Sequence, residues 1–293
     1  MRFYKLFIPL FIFSLLITGC DGEGSATENK LSDENLKASN LNNYVKIFNV
    51  LSGNGGLRQA EESYLFYDVS KSSADKDINY PKLNYKYINE LFNNLKGVKS
   101  KSELDVAGKD LQVKIEALEK DYNDFNIYYN SREYKEDNLS KGKAADSIIK
   151  SHFRDAVSSF ELFQKYLDVT YNRKKEEELD ALKESGNQYA YHRAVALYLS
   201  EKLVNLYKTD DDLKNKEKNK ESDNLAEKLQ KELSLLNIEE KKIMSKDKNF
   251  TGEISSYLTD FLRFYRDFRS GGSEGDFEQA VMIYNNMAYH FSH

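Results

Sequence analysis

The sequence predicts an all-α protein, an antiparallel helical bundle with two long central helices, and three observations support this fold class. Apolar residues recur at alternating four- and three-residue steps along most of the chain, which is the spacing of one helix face. Helix breakers are rare, because only two prolines and 14 glycines occur among 293 residues. No segment alternates apolar and polar residues with a convincing period of two, so no sheet is predicted.

The first twenty residues contain the parts of a secretory signal. Arg2 and Lys5 supply a positive start, and the run from Leu6 to Ile17 is almost entirely apolar. This run is too short for a comfortable transmembrane helix, which needs about 20 residues. It ends in Ile17-Thr18-Gly19-Cys20, where small residues precede the only cysteine of the chain.

Ile17-Thr18-Gly19-Cys20 resembles the bacterial lipobox. The resemblance implies that residues 1–19 are a cleaved lipoprotein signal peptide and that the Cys20 thiol receives diacylglycerol, with acyl chains such as palmitate completing the anchor. Cysteine suits this chemistry because its thiolate is a good nucleophile, and two or more acyl chains hold a protein stably on a membrane. The alternative is an ordinary signal peptide, or a short anchor, that contains a cysteine by chance.

Residues 20–34 follow as the predicted lipidated N-terminus and flexible tether, since they are mostly small, polar and charged. Asp21 resembles the signal that keeps enterobacterial lipoproteins in the inner membrane. The predicted location is therefore the bacterial cell envelope, facing the periplasm, with the inner membrane favoured over the outer.

Residues 35–293 are predicted as one helical domain. Ser102 to about Ser131 and Ser140 to about Glu184 are its two long helices, and Ser185-Gly186-Asn187 is a break. The middle of the second long helix, residues 173–178, has no apolar stripe, so the helix is predicted to project there or to be solvated all round, with pairs such as Lys174 with Glu178. Further apolar rows begin near Leu36, Leu57, His192, Leu225, Ile254 and Phe277. Ser273 and Asp276 resemble a capping box before the last row.

Composition and motifs exclude several function classes. The net charge of −5 argues against nucleic-acid binding, which requires a basic surface. A single cysteine excludes an intrachain disulfide framework, a cysteine-based zinc site and, if Cys20 is lipidated, a cysteine nucleophile. The four histidines, His152, His192, His290 and His293, form no metal-binding motif. No phosphate-binding loop, dinucleotide motif or nucleophile elbow occurs. We therefore predict no catalytic residues, no metal, no cofactor and no enzymatic activity.

Two groups of residues are candidates for a partner or ligand surface. Tyr128 and Tyr134 lie off the main apolar row and could line a groove that stacks a sugar or peptide, although aromatic residues at helical spacing are more often core. Arg263, Arg266 and Arg269 recur every three residues, so a row of guanidiniums could meet phosphate, lipid headgroups or an acidic partner. Local pairing, with Asp260 and Asp267 near Arg263, is the favoured alternative.

The segment Ile127–Lys143, IYYNSREYKEDNLSKGK, resembles the YiiG-like bacterial lipoproteins, whose domain has no known function. In that family a long helix ends in Tyr-Tyr, a short turn follows, and Lys-Gly begins the next long helix. These features match Tyr128-Tyr129, Tyr134-Lys135 with Asp137, and Lys141-Gly142. The resemblance implies a helical, lipid-anchored envelope protein and supplies no activity, substrate or catalytic residue.

The leading functional hypothesis is a non-enzymatic interaction or structural module, lipid-anchored at Cys20, that contacts the membrane through its lipid and binds an envelope protein. The alternative is an envelope binding protein for a small ligand or glycan in a tyrosine-lined groove between helices. An enzyme would require carboxylates and histidines that converge in one cleft, which a sequence cannot show.

Overall fold

The structure is a computed structural model that describes residues 25–95, 102–207, 211–250, 252–271 and 273–291. All regular structure in these ranges is helical, which confirms the predicted all-α class. The α-helices of the described ranges are α1 (Ser25–Ser52), α2 (Leu57–Tyr67), α3 (Tyr85–Asn93), α4 (Glu103–Asn130), α5 (Ser140–Glu184), α6 (Gln188–Leu206), α7 (Lys216–Met244), α8 (Glu253–Arg269) and α9 (Glu274–Phe291).

The helices form two compact units, one that ends at Tyr171 and one that begins at Asn172. The boundary therefore falls inside α5 and within the segment predicted as one domain. At the other end of that segment, α1 already begins at Ser25, so it includes part of the predicted tether. Cys20 and Asp21 lie outside the described residues.

The boundaries of both predicted long helices are confirmed. Ser102 is the N-cap of the 28-residue α4, where its hydroxyl accepts a hydrogen bond from the Asp105 amide at 3.1 Å. Helix α5 has 45 residues, about 68 Å at 1.5 Å per residue. The break after it is also confirmed, because Asn187 caps α6 by accepting a hydrogen bond from the Ala190 amide at 3.1 Å.

In the first unit, α1 packs against α2 and α3, and α3 packs against α4. The apolar rows of α4 and α5 lie largely in the interior, where Leu111 on α4 and Phe163 on α5 are completely buried. Polar contacts also join these two helices. The Ser159 hydroxyl donates to Asp110 at 2.6 Å, and His152 Nδ1 lies 2.7 Å from a carboxylate oxygen of Asp121.

In the second unit, α6 packs against α7 and α9, and α8 packs against both α7 and α9. Residues of the apolar rows predicted from His192, Leu225, Ile254 and Phe277 onwards meet in one core. Leu203, Leu229, Phe261, Tyr265 and Ala280 are completely buried in it. Each predicted row thus faces the interior of this unit, as expected for amphipathic helices.

For residues 173–178, the alternative of solvation all round is wrong, because one residue of this stretch is buried. Lys175 is only 7% exposed, and its ammonium lies 3.2 Å from the Glu178 carboxylate. Lys174 pairs with Glu177 at 3.4 Å rather than with Glu178. Burial lowers the pKa of Lys175, and the nearby carboxylates of Glu178 and Glu201 oppose this effect. The long aliphatic stem of a lysine can pack in an apolar setting when its charge is paired. A pattern of apolar residues does not include such a lysine, so it does not reveal that this face of the helix is packed.

Candidate functional site

A surface groove lies between α7 and α8, and its position follows from the apolar rows of these helices. One face of α7 packs into the core through Leu225, Leu229 and Leu233. One face of α8 packs into the same core through Leu258, Phe261 and Tyr265. Residues adjacent to these rows consequently lie at the edges where the two helices meet solvent. We call this surface the α7–α8 groove.

The groove consists of two adjoining cavities. A cavity of about 230 Å³ is lined by Ser222, Asp223, Ala226, Glu227, Gln230, Tyr265, Arg266 and Arg269. The next, of about 430 Å³, is lined by Gln230, Leu233, Asn237, Thr259, Leu262, Arg263, Arg266 and Asp267. Gln230 and Arg266 line both cavities, so the two form one continuous groove with these residues at its middle.

All three residues of the arginine row, Arg263, Arg266 and Arg269, line this groove. Arg263 pairs with Asp260 at 3.2 Å, so the predicted local pairing is confirmed for this residue. Arg269 lies 3.5 Å from an oxygen of Asp223 on α7. The structure therefore combines both interpretations of the row, since the arginines line a concave surface and two of them also pair with carboxylates.

Arg266 differs from its two neighbours in the charge of its partner. Its guanidinium donates to the side-chain amide oxygen of Gln230 at 3.2 Å, and this oxygen carries no formal charge. The side chain is exposed, whereas Arg269 is half-buried. The bond to Gln230 uses one of the five N–H donors that a guanidinium carries.

A buried hydroxyl pair supports the wall of the smaller cavity. The Ser222 and Tyr265 hydroxyl oxygens lie 2.9 Å apart, which ties α7 to α8. Burial raises the pKa of Tyr265, so its phenol stays neutral at physiological pH.

The prediction that Tyr128 and Tyr134 line a groove is wrong. Tyr128 is 1% exposed and Tyr134 is completely buried, and neither lines the α7–α8 groove. Their rings pack edge-on with centroids 6.2 Å apart, and Tyr129 packs against both. These tyrosines belong to the core of the first unit, so the hypothesis of a ligand groove around them is not supported.

The same tyrosines hold the connection between α4 and α5. The Tyr128 hydroxyl donates to Asp137 at 2.8 Å and accepts from the Gly142 amide at 3.2 Å. Burial, reinforced by the bond to Asp137, raises the pKa of Tyr128 to about 12. The Tyr134 hydroxyl donates to the carbonyl of Lys76 at 3.0 Å. Their roles are therefore structural, because they fix the turn that Asp137 and Gly142 occupy.

A family model described as "Protein of unknown function (DUF3829)" matches residues 36–289. The chain belongs to the DUF3829 family. No curated protein and no solved structure matches the chain. The DUF3829 match includes both the tyrosine-rich turn between α4 and α5 and the α7–α8 groove.

The histidines of the DUF3829 domain contact carboxylates but form no metal site in the described ranges. His152 contacts Asp121, and His192 Nδ1 lies 2.8 Å from Glu232 on α7. No group of three histidine, cysteine or acidic residues in the described part of the chain could hold a metal ion. His293 lies outside the described residues. None of the helices described here is long and apolar enough to cross a membrane.

Sequence reasoning identified the arginines of the groove but missed the opposite wall. Gln230, Asp223 and Asn237 lie on α7 next to the predicted row that runs from Leu225 to Leu236. Their seven-residue spacing places them on one edge of that helix, so the pattern was present in the sequence. Nothing in the sequence indicated that this edge faces the arginine row, because that depends on how α7 and α8 pack.

Proposed function

We propose that this DUF3829 protein is a YiiG-like lipoprotein of the bacterial cell envelope, anchored through lipid at Cys20. The support is the sequence Ile17-Thr18-Gly19-Cys20 after a basic start and a short apolar run. We place the domain on the periplasmic side, at the inner membrane, because Asp21 follows the modified cysteine. The family match itself carries no information on lipid or location.

We further propose that the helical domain acts as a non-enzymatic interaction module for an envelope protein. The observation that carries this role is the α7–α8 groove, where a predicted row of arginines coincides with the two cavities described above. The carboxylate contacts of His152 and His192 join α4 to α5 and α6 to α7. These contacts have an architectural explanation, and neither histidine lines the groove.

The anchor is tested by mass spectrometry of the full-length chain expressed in a bacterium and recovered from membranes. The expected N-terminal peptide begins at Cys20 and carries the mass of a diacylglycerol with a further acyl chain. The Cys20→Ala variant is expected to lose this mass and to leave the membrane fraction. An unmodified Cys20 in membrane-bound wild type would refute the anchor.

The interaction role is tested by crosslinking in intact cells, followed by purification and mass spectrometry. Wild type is expected to capture a reproducible envelope protein that Cys20→Ala and Arg266→Glu capture poorly. Arg173→Glu is the matched control, because Arg173 is also on the second unit and is 73% exposed at its side chain. If wild type and Cys20→Ala capture the same proteins, or none, the tethered interaction module is wrong.

A further inference from the structure

The charges of the α7–α8 groove indicate which chemistry its partner presents, provided that the groove is the interaction surface proposed above. Arg263 is paired with Asp260 and also stacks on Phe264, with its guanidinium carbon 4.1 Å from the ring centroid. Arg269 is paired with Asp223 and lies over Tyr207 at 5.5 Å. These two arginines are held in place by the protein. Among the described residues that line the groove, Arg266 is the arginine whose side-chain hydrogen bond is to a neutral partner, Gln230, so its charge is available to a bound anion.

The acidic residues around the groove argue against a highly charged anion. Asp223, Glu227 and Asp267 line the cavities, and Asp260 adjoins them through Arg263. Four carboxylates therefore accompany three guanidiniums, and a dianionic phosphate would meet repulsion from the walls. A single carboxylate needs only one guanidinium, whose planar fork matches its two oxygens. The N–H groups of a peptide would find acceptors in the same acidic walls.

The larger cavity also offers an apolar surface beside Arg266. Leu233 is 4% exposed and Leu262 is 2% exposed, so each presents only a small part of its side chain at the base of the cavity. Asn237 and Thr259 lie at the same end and can hydrogen-bond a peptide backbone. The groove follows residues 222–237 of α7, roughly 22 Å at 1.5 Å per residue. That length accommodates about six or seven residues of extended peptide at roughly 3.3 Å each.

We propose that the α7–α8 groove binds a short peptide segment that presents a carboxylate to Arg266 and an apolar side chain to Leu233 and Leu262. The carboxylate is an acidic side chain or a free C-terminus, and Gln230 orients the Arg266 guanidinium toward it. The paired residues Arg263 and Arg269 supply the flanking walls.

The experiment is a selection from a random octapeptide library with free C-termini, using the full-length chain in detergent micelles. Enriched peptides are expected to carry a carboxylate next to an apolar residue. Their affinity, measured by fluorescence anisotropy, is expected to fall about ten- to hundredfold in Arg266→Ala, which is the usual effect of losing a hydrogen-bonded charge. Arg266→Lys is expected to restore binding only partly, because it keeps the charge and loses the fork.

Two control measurements decide the specificity of the result. Arg173→Ala, which removes an exposed arginine outside the groove, is expected to bind the selected peptides as wild type does. Replacing the peptide carboxylate by an amide is expected to weaken binding to wild type and to leave binding to Arg266→Ala unchanged.

Three outcomes would overturn the inference. A selection that enriches no peptide, or one that enriches peptides binding Arg266→Ala equally well, removes the groove as a peptide site. Arg266-dependent binding of inorganic phosphate that displaces every selected peptide would instead assign the groove to a phosphate group. Failure of this inference is distinguishable from failure of the proposed function. An envelope protein that wild type captures in cells and Cys20→Ala does not would still support the tethered interaction module, even if that protein bound outside the groove.

Discussion

Gly142 determines how closely the start of α5 approaches the tyrosines at the end of α4. A Cβ atom at this position would lie 2.6 Å from the Tyr129 hydroxyl oxygen and 3.4 Å from the ring of Tyr128. Neither ring can move easily, because each is 1% exposed and packed against other aromatic residues. The need for glycine here is therefore steric, and it arises from the side chains of another helix.

Gly142→Ala is expected to lower the free energy of unfolding by about 1–3 kcal/mol, the usual cost of overpacking a core. Tyr129→Phe in the Gly142→Ala background is expected to recover most of this loss, because it removes the oxygen that a Cβ atom at position 142 would meet. Urea unfolding measures both effects. Gly275→Ala is the control, since the nearest atom to its Cβ lies at 3.4 Å. No loss in Gly142→Ala would contradict the steric explanation.

Glu240 is a residue of α7 whose buried carboxyl group lies near the start of α8. It is 1% exposed, and its Oε1 atom has no hydrogen-bond partner in the described part of the chain. Burial raises the pKa of Glu240 above its ordinary value of 4.5, and hydrogen bonds from Ser255 partly oppose this. The folded state therefore holds this proton more strongly than the unfolded state does.

The raised pKa of Glu240 predicts a pH dependence of stability. Its favourable contribution is complete below pH 4.5, the ordinary value, and is lost as the pH rises through the higher pKa of the folded state. Glu240→Gln cannot ionise, so wild type is expected to lose stability relative to this variant as the pH rises from 4.5. Urea unfolding across this range measures the difference. Parallel curves for the two proteins would show that burial does not perturb this carboxyl.

At the scale of single helices, α7 illustrates how an end is specified. The Asn215 side chain accepts hydrogen bonds from the amides of Glu217 at 3.0 Å and Lys218 at 3.2 Å, which satisfies two donors of the first turn. The same helix supplies one wall of the groove. The cap therefore fixes where that wall begins.

Asn215→Ala is expected to lower the free energy of unfolding by about 1 kcal/mol, because it removes this cap. Asn224→Ala makes the same substitution at an exposed position inside α7, where alanine has the higher helix propensity, and is expected to be neutral or slightly stabilising. Thermal and urea unfolding of the two variants compare the stability lost at the cap with the stability change from the same substitution inside the helix. Equal effects would exclude a specific role for the cap.

The sequence predicted helices well because an apolar row and a capping residue are local signals. The Ser273 cap is an example, since its amide donates to Asp276 at 2.7 Å as the predicted capping box requires. The burial of Tyr128, Tyr134 and Lys175 could not be predicted in this way. Each has a polar group that can face water or find a buried partner, and only the packing of distant segments decides which occurs.

At the scale of the whole molecule, the division into two units was not predictable from the rows. Apolar rows show which face of a helix is buried, but they do not show which helices share a core. The buried cluster of the second unit comprises residues between Ala196 and Ala288, and Tyr189 and Val195 pack against it. The groove is a consequence of that packing, which explains why only its arginine side was found from the sequence.

The separate core of the second unit predicts a localised response to cavity formation. Phe261→Ala removes a completely buried ring and is expected to cost about 3–5 kcal/mol. Hydrogen exchange measured by mass spectrometry is expected to increase mainly in residues 172–291. Phe163→Ala, in the core of the first unit, is the matched variant and is expected to act mainly on residues 25–171. A uniform increase in either variant would contradict separate cores.

The turn between α4 and α5 has a consequence for the order of folding. Asn138 and Leu139 both adopt left-handed backbone angles, with φ of 54° and 63°, a conformation that costs non-glycine residues roughly 1–2 kcal/mol each. The tertiary contacts of the turn, from Tyr134 to Lys76 among them, compensate for this cost only when residues far apart in the chain have met. We therefore expect an isolated α4–α5 hairpin to be a poor folding nucleus, and we expect this connection to close late, after the aromatic core that surrounds it has assembled.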